Sequence, residues 1–202
     1  MYYIEKSVTN EVIINKSKFI TYLIPVQTID AVNEALSDIK KTHHNATHHC
    51  YGYILDNQTI QKSNDDGEPA GTAGMPILQV LLANNLTDVL CVIVRYYGGI
   101  HLGKGGLIRA YSGGVSEALK KASLYKEAQR TLYRITIDYR LYDQVNYYLT
   151  EYANIKDTQF TDKVDVSFYL HDNNINHFLD QFHHQFEVTT LGVITIKLPL
   201  KS

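Results

Sequence analysis

The segment that most restricts how this chain can fold runs from Val89 to Tyr111. Val89-Leu90-Cys91-Val92-Ile93-Val94 is an apolar, β-branched run, the pattern of a buried strand. Arg95-Tyr96-Tyr97-Gly98-Gly99-Ile100-His101-Leu102-Gly103-Lys104-Gly105-Gly106-Leu107-Ile108-Arg109-Ala110-Tyr111 follows, with five glycines, one lysine and two arginines. From Leu107 the apolar residues Leu107, Tyr111, Val115, Ala118 and Ala122 recur at helical spacing, as on the inner face of an amphipathic helix. A glycine-rich turn therefore opens a helix, where backbone N–H groups are unpaired and the helix dipole favours an anion. Arg95, Tyr96, Tyr97, Gly98, Gly99, Gly103, Lys104, Gly105, Gly106 and Arg109 form a candidate binding surface. Tight turns and close backbone contacts explain the same glycines without a ligand.

Gly98 to Lys104 satisfies G-x-x-x-x-G-K, the first seven positions of a phosphate-binding P-loop. The eighth should be Ser or Thr, whose hydroxyl holds magnesium, and here it is Gly105. The dinucleotide fingerprint G-x-G-x-x-G also fails, because Gly103-Lys104-Gly105 is followed by Ile108 where the last glycine is required. Tyr96 and Tyr97 sit beside this turn, where bases can stack on their rings. The alternative is one ring in the core and one at the rim.

The 202 residues allow one large or two small domains. Hydrophobic content of 45% and charged content of 20% are ordinary globular usage. A net charge of −2 supplies no large basic field, so tight non-specific nucleic-acid binding is not implied. Residues 131–202 hold six Lys/Arg against nine Asp/Glu, and residues 1–130 hold thirteen against twelve. A polyanion would therefore meet the first part. Two cysteines, Cys50 and Cys91, do not suggest a disulfide scaffold, and a reducing cytosol fits better. The start Met1-Tyr2-Tyr3-Ile4-Glu5-Lys6 lacks the pattern of a signal peptide. No apolar run approaches the ~20 residues needed to span a bilayer. A soluble, cytoplasmic protein without a membrane partner is expected.

Along the chain, Val12–Ile14 and Phe19–Ile24 read as strands around a turn at Asn15-Lys16-Ser17-Lys18. Thr28 or Asp30 can cap a helix running to about Lys41. His49 to Leu55 reads as the next strand, and residues 62–74 as a polar, turn-rich segment. Pro76 suits the first turn of a buried helix ended by Asn84-Asn85. Gly113 and Gly114 fall inside the following helix, where each costs ~1 kcal/mol relative to Ala unless another backbone passes close by.

From Thr131 the pattern changes. Tyr133, Ile135, Ile137 and Tyr139 alternate with polar residues, and Val145, Leu149 and Tyr152 mark a helix. Strands around 156–161 and at Val164–Leu170, a helix through Ile175, Phe178, Leu179 and Phe182, and a strand at 188–198 complete the series. The order β-α-β-β-α-β predicts a ferredoxin-like unit. Its third strand, Lys163-Val164-Asp165-Val166-Ser167-Phe168-Tyr169, lacks the basic-Gly-aromatic signature of an RNA-recognition motif.

Two further clusters carry chemistry. His43, His44, His48, His49 and Cys50 lie close together, and His44 and His48 have a metal-compatible spacing if helical. A helix ending and a strand starting here would instead make a polar junction with buried histidines. Asp65, Asp66 and Glu68 place three carboxylates in four residues, without the spacing of an EF-hand. They can pair with Arg95, Arg109 or Lys104 across a groove, do acid–base work with a bound metal, or form a solvated turn. Ser112-Gly113 is not a nucleophile elbow, since Ala110 stands where a glycine is required.

These residues resemble a known family. Asn64-Asp65-Asp66-Gly67-Glu68-Pro69-Ala70-Gly71-Thr72-Ala73-Gly74, and Arg95-Tyr96-Tyr97-Gly98-Gly99 with Leu102-Gly103-x-Gly105-Gly106-Leu107-x-Arg109-Ala110-Tyr111, are similar to the two signature motifs of the IMPACT family. Ala46-Thr47-His48-His49-Cys50-Tyr51-Gly52-Tyr53 resembles its His/Cys strand. The resemblance is to the bacterial two-domain members. It implies an α+β chain with a ribosomal protein S5 domain 2-like domain over 1–128 and a ferredoxin-like domain over 129–202, similar to the C-terminal domain of elongation factor G. Eukaryotic relatives regulate translation through a ribosome-associated kinase activator, using an extra N-terminal RWD domain that this sequence does not show. Lys104 stands where the family usually has a small residue, and His101 where a basic residue is common.

Together these readings predict a binding or regulatory protein near translation, contacting RNA, ribosome or a protein translational regulator. Its site would comprise Asp65, Asp66, Glu68, Thr72, Arg95, Tyr96, Tyr97, Gly98, Gly99, Gly103, Lys104, Gly105, Gly106 and Arg109, with no cofactor and no catalytic set. A metal-assisted hydrolase or nucleotide-binding enzyme is the alternative.

Overall fold

The structure is a computed structural model that describes residues 1–183 and 185–200. The chain is α+β and packs as two units, Met1–Lys126 joined by Leu198–Leu200, and Glu127–Lys197. In chain order the first unit contains β1 (Tyr3–Ile4), β2 (Val8–Ile14), β3 (Ser17–Pro25), α1 (Ile29–Thr42), β4 (His48–Leu55) and β5 (Ile60–Asn64). It continues with α2 (Gly74–Ala83), β6 (Val89–Tyr96) and α3 (Gly103–Leu119).

The first unit is built on a five-stranded sheet in the order β2-β3-β6-β4-β5, with every neighbouring pair antiparallel. The apolar run Val89–Val94 lies in its central strand. Successive side chains on a strand face opposite ways, so the run feeds two cores. Val89, Cys91 and Ile93 join Ile77 and Leu81 of α2 and Leu107, Tyr111 and Val115 of α3. Leu90, Val92 and Val94 join Val32 and Ile39 of α1 on the other face. Each such side chain contributes about 1.5–3 kcal/mol by leaving water. This alternation also determines which later residues of the strand can meet which helices.

Local signals place the boundaries. Asn15 and Lys16 adopt φ of 45° and 64° between Ile14 and Ser17, which are paired across β2 and β3. That is the two-residue hairpin whose twist matches its strands. The Thr28 side chain accepts a hydrogen bond from the Ala31 backbone at 3.1 Å and starts α1. Asn84 ends α2.

β7 (Leu124–Ile137) carries the chain from the first unit into the second, where α4 (Tyr139–Tyr152), β8 (Ala153–Phe160), β9 (Val164–Leu170), α5 (Ile175–Gln181) and most of β10 (Val188–Pro199) follow in the expected order. The strands lie in the order β10-β7-β9-β8. Tyr133, Ile135 and Ile137 pack with Val164, Val166, Phe168 and the helix residues Val145, Leu149 and Phe178.

Three local expectations are corrected. Residues 62–64 belong to β5, paired with Tyr51–Tyr53 of β4, so the turn-rich loop starts at Asp65. The strand expected from Thr131 begins at Leu124, because Leu124 and Tyr125 pair with Ile4 and Tyr3. That pairing is distant in sequence and gives Lys126–Arg130 no local signature. At Gly114 the close neighbours are side chains rather than a backbone: a Cβ there would meet Thr21 Oγ1 at 2.9 Å and Ile93 Cδ1 at 3.2 Å. Gly113 has open space. Among the described residues, no helix is long and apolar enough to cross a membrane.

Candidate functional site

Strand alternation puts Arg95 on the α2/α3 face of the sheet and Tyr96 on the α1 face. The same alternation along β4 sends His48 and Cys50 to the first face and His49 to the second. His48 and Arg95 are register partners across β4 and β6. The loop after β5 then brings Glu68 over them.

Arg95 is 4% exposed and Glu68 8% exposed, so both charges are withdrawn from water. Arg95 Nη1 donates to Glu68 Oε1 at 2.6 Å, and Nη2 donates to Ser17 Oγ at 3.2 Å. The guanidinium lies 5.2 Å from the Phe19 ring centroid and 5.3 Å from that of Tyr97, within cation–π range. Its Nε is buried without a hydrogen-bond partner among the described residues. Glu68 Oε1 also accepts from the Tyr111 hydroxyl at 2.8 Å. The Cys50 thiol lies 3.3 Å from that hydroxyl and 3.0 Å from the Asp65 carbonyl oxygen. Burial pushes Cys50 up to about 12, and burial with the neighbouring Cys50 and Glu68 pushes Tyr111 far above its ordinary range. Both remain protonated donors at neutral pH.

His48 closes the network. Its Nδ1 lies 2.8 Å from the Asp66 carbonyl oxygen, which can only accept, so this ring nitrogen carries the proton. Nε2 therefore faces Glu68 Oε2 at 3.9 Å, too far for a direct hydrogen bond.

Outside this network lies a hollow of about 410 Å³, within the range of small-ligand sites. His48, Glu68 and Arg95 form part of its wall, with Thr47 and Pro69 beside them. Tyr97, His101, Leu102, Gly103, Lys104 and Leu107 supply the rest. Gly103, with φ of +67°, turns the chain into α3, and Leu102 provides no side-chain cap. The helix thus begins four residues before Leu107, and the amides of its first turn lack intrahelical partners. Lys104 lies one turn before Leu107 and shares its face.

The structure gives the other candidate residues different places. Asp65 caps α2: Oδ1 accepts from Ala73 N at 2.9 Å and Gly74 N at 2.8 Å, and Oδ2 accepts from Gly71 N at 2.8 Å. Burial would raise its pKa, but these three donors outweigh burial and hold the carboxyl below its ordinary value. Asp66 Oδ2 accepts from His49 N at 2.7 Å, and Oδ1 lies 3.8 Å from Lys40 Nζ. Of the three loop acids, Glu68 is the one that meets an arginine; Asp65 and Asp66 are bound to backbone amides. The Thr72 hydroxyl donates to the Pro69 carbonyl at 2.7 Å and does not line the hollow. Tyr96 turns away, its hydroxyl 2.9 Å from His43 Nδ1.

Arg109 is exposed on α3. At 100° per residue it points away from the buried Leu107 and Tyr111, so it does not join Arg95. Gly98 passes against the hairpin turn: a Cβ there would lie 2.1 Å from Lys16 C and O. Its amide donates to Ser17 Oγ at 3.1 Å. Gly99, Gly105 and Gly106 do not line the hollow.

Among the described residues, no group of three or more His, Cys, Asp or Glu is placed to hold a metal. His43 is held between the Tyr22 and Tyr96 hydroxyls, at 2.6 and 2.9 Å, and His44 is exposed. Among the participants absent from the sequence-based site are Ser17, His48, Cys50, His101 and Tyr111. The period-two pattern of His48-His49-Cys50 marks His48 as facing the same way as Cys50. Ser17 carried no signal, since only the hairpin brings it to Arg95.

A family model described as the Impact N-terminal domain matches residues 15–119, and one described as a domain of unknown function, DUF1949, matches residues 135–183. The chain is 40% identical over 171 residues to the IMPACT family member YvyE of Bacillus subtilis, spanning 84% of this chain and 79% of that protein. It is 40% identical over 130 residues to the IMPACT family member YigZ of Escherichia coli, spanning 62% of this chain and 63% of that protein, just under two thirds of the relative's length. A crystal structure described as that of a hypothetical protein is similar with a TM-score of 0.60 at 30% identity, covering 94% of this chain and 96% of the other. The matched regions contain every residue of the buried network and the hollow, and the chain belongs to the IMPACT family.

Proposed function

We propose that the protein is a non-enzymatic binding and regulatory protein acting near translation in the cytoplasm, and that the hollow of its first unit receives an anionic group on RNA. The observation that carries this reading is the balance of charge around the hollow. Glu68, its one acid, is neutralised by Arg95 at 2.6 Å. Lys104, His101 and the first amides of α3 are left as donors facing the ligand. Tyr97, 40% exposed at the rim, adds a ring on which a base can stack. Phosphate recognition by a helix N-terminus with a lysine beside it is well founded physically. A net charge of −2 makes the interaction local rather than a broad basic surface.

Of the sequence-derived set, this reading retains Glu68, Arg95, Tyr97, Gly103 and Lys104 as the residues that meet the ligand. Asp65, Asp66, Thr72, Gly98 and Gly99 hold the surrounding loops, and Tyr96, Gly105, Gly106 and Arg109 lie outside the hollow. We read the first domain, 1–128, as ribosomal protein S5 domain 2-like and the second, 129–202, as ferredoxin-like. The strand order β10-β7-β9-β8 supports the latter.

The test is an affinity capture from cells, scored for RNA, ribosomes and translation factors, with Lys104→Ala and Tyr97→Ala in parallel. Capture of RNA or ribosomes that both substitutions reduce, with the RNA-dependent part lost on nuclease treatment, is the expected result. Capture that neither substitution affects contradicts the role of the hollow. Nuclease-resistant capture of a protein alone replaces RNA with a protein partner.

A further inference from the structure

The Glu68 carboxylate is used on one side only. Oε1 accepts from Arg95 and Tyr111 at 2.6 and 2.8 Å. Oε2 makes no hydrogen bond among the described residues, and its near neighbour is His48 Nε2 at 3.9 Å. With Nδ1–H committed to the Asp66 carbonyl, this tautomer of His48 presents a lone pair at Nε2. Two acceptor atoms thus stand side by side in the wall of the hollow. Left dry, they repel each other. A single ligand atom carrying N–H bonds relieves this, because 3.9 Å between acceptors leaves both about 2.8–3.0 Å from a donor between them.

The rest of the wall restricts what carries that donor. Tyr97 rests one face over the Arg95 guanidinium, and its ring lies 5.6 Å from the His101 ring, tilted by 43°. This is an exposed aromatic corner suited to a flat heterocycle. Lys104 and the α3 amides stand at the same hollow, ready for a phosphate.

We infer that the hollow is a subsite for one nucleotide whose base bears an exocyclic amino group, read by Glu68 Oε2 and His48 Nε2, stacked by Tyr97 and held at its phosphate by Lys104. Guanine offers its N1–H and amino group side by side to both oxygens of a carboxylate. Oε1 is already filled by Arg95 and Tyr111, so that bidentate arrangement does not form, and guanine, like adenine and cytosine, engages the pair through its amino group. Hypoxanthine and uracil place a carbonyl oxygen where the amino group would be, against two acceptors. Charged-acceptor hydrogen bonds are among the stronger ones, so the discrimination is expected to be about tenfold. The inference rests on the RNA reading above and names the unit of RNA that the site takes.

The test uses the full chain and two matched pairs of 5′-monophosphates, adenosine against inosine and cytidine against uridine, titrated by NMR. The amino member of each pair is expected to bind about tenfold more tightly. Tyr97→Ala should weaken all four alike. Glu68→Gln, checked for folding by its thermal melt, places an amide N–H in the wall and should shift the preference toward inosine. If that variant does not fold, the wild-type ratios alone decide. Equal affinity within each pair, or binding that Tyr97→Ala leaves unchanged, overturns the inference. Single-stranded RNA bound through Lys104 without any mononucleotide preference overturns the inference and leaves the RNA reading standing. No binding of either RNA or mononucleotides removes both.

Discussion

Arg95 and Glu68 meet at 2.6 Å with side chains only 5% and 3% exposed, joining the central strand to the loop that follows β5. Neither charge has enough water to survive alone. Removing one partner leaves the other buried and uncompensated, which costs about 3–5 kcal/mol in such pairs. Arg95→Ala and Glu68→Ala should each lower stability by an amount in that range. The double variant should lose far less than their sum, because the two residues form one unit. Urea denaturation of the four proteins in a double-mutant cycle checks this, and simple additivity would show that the pair is not coupled.

Asp65 offers a smaller and more local case. Three backbone donors hold its carboxyl below the ordinary 3.8, so the ionised form is stabilised by folding. That stability is fully present above the unfolded value and is lost as pH falls through the folded one. Asp65→Asn should cost about 1–2 kcal/mol at pH 7, as for a lost helix cap. The deficit relative to wild type should shrink below about pH 4. Thermal melts of both proteins from pH 7 to pH 3 measure it.

His43 reports from the opposite face of the sheet. Burial first, then His49 and Lys18, lower its pKa from 6.5. The folded state therefore prefers the neutral ring, held between Tyr22 and Tyr96. This contribution is present above pH 6.5 and is lost as pH falls below it. His43→Phe should flatten the fall in stability between pH 7.5 and pH 5.5, measured as the urea midpoint. An unchanged profile would assign that fall to other groups.

Cys50 should be inert. A buried thiol pushed up to about 12 has almost no thiolate at neutral pH, and the thiolate is the reactive form. Alkylation by iodoacetamide in native protein should be slow at pH 8 and become rapid only on denaturation. Fast native labelling would mean that the network around Tyr111 opens.

Much of this arrangement can be read in the chain itself, for reasons that differ by residue. Val89–Val94 announces its strand because burial on both faces demands apolar side chains throughout. The Glu68–Arg95 pairing is among the loop-acid pairings the sequence suggests, since a charge at the end of such a run needs a partner. Arg109 shows the limit: its type and motif suggest a ligand, but helical phase turns it outward. Asp65 resembles a ligand-binding acid in sequence, yet the missing side-chain cap at Ala73 gives it a structural use. Ser17 and the Leu124 end of β7 depend on contacts between distant segments, which no local pattern encodes.

The central claim is that the hollow beside α3 receives a phosphate held by Lys104. The direct measurement is the affinity of a short single-stranded oligoribonucleotide for wild type and Lys104→Ala across a salt series. Removing one phosphate contact should weaken binding and reduce the slope of log K against log salt by about 0.7. Equal affinities and parallel slopes for the two proteins would contradict the account.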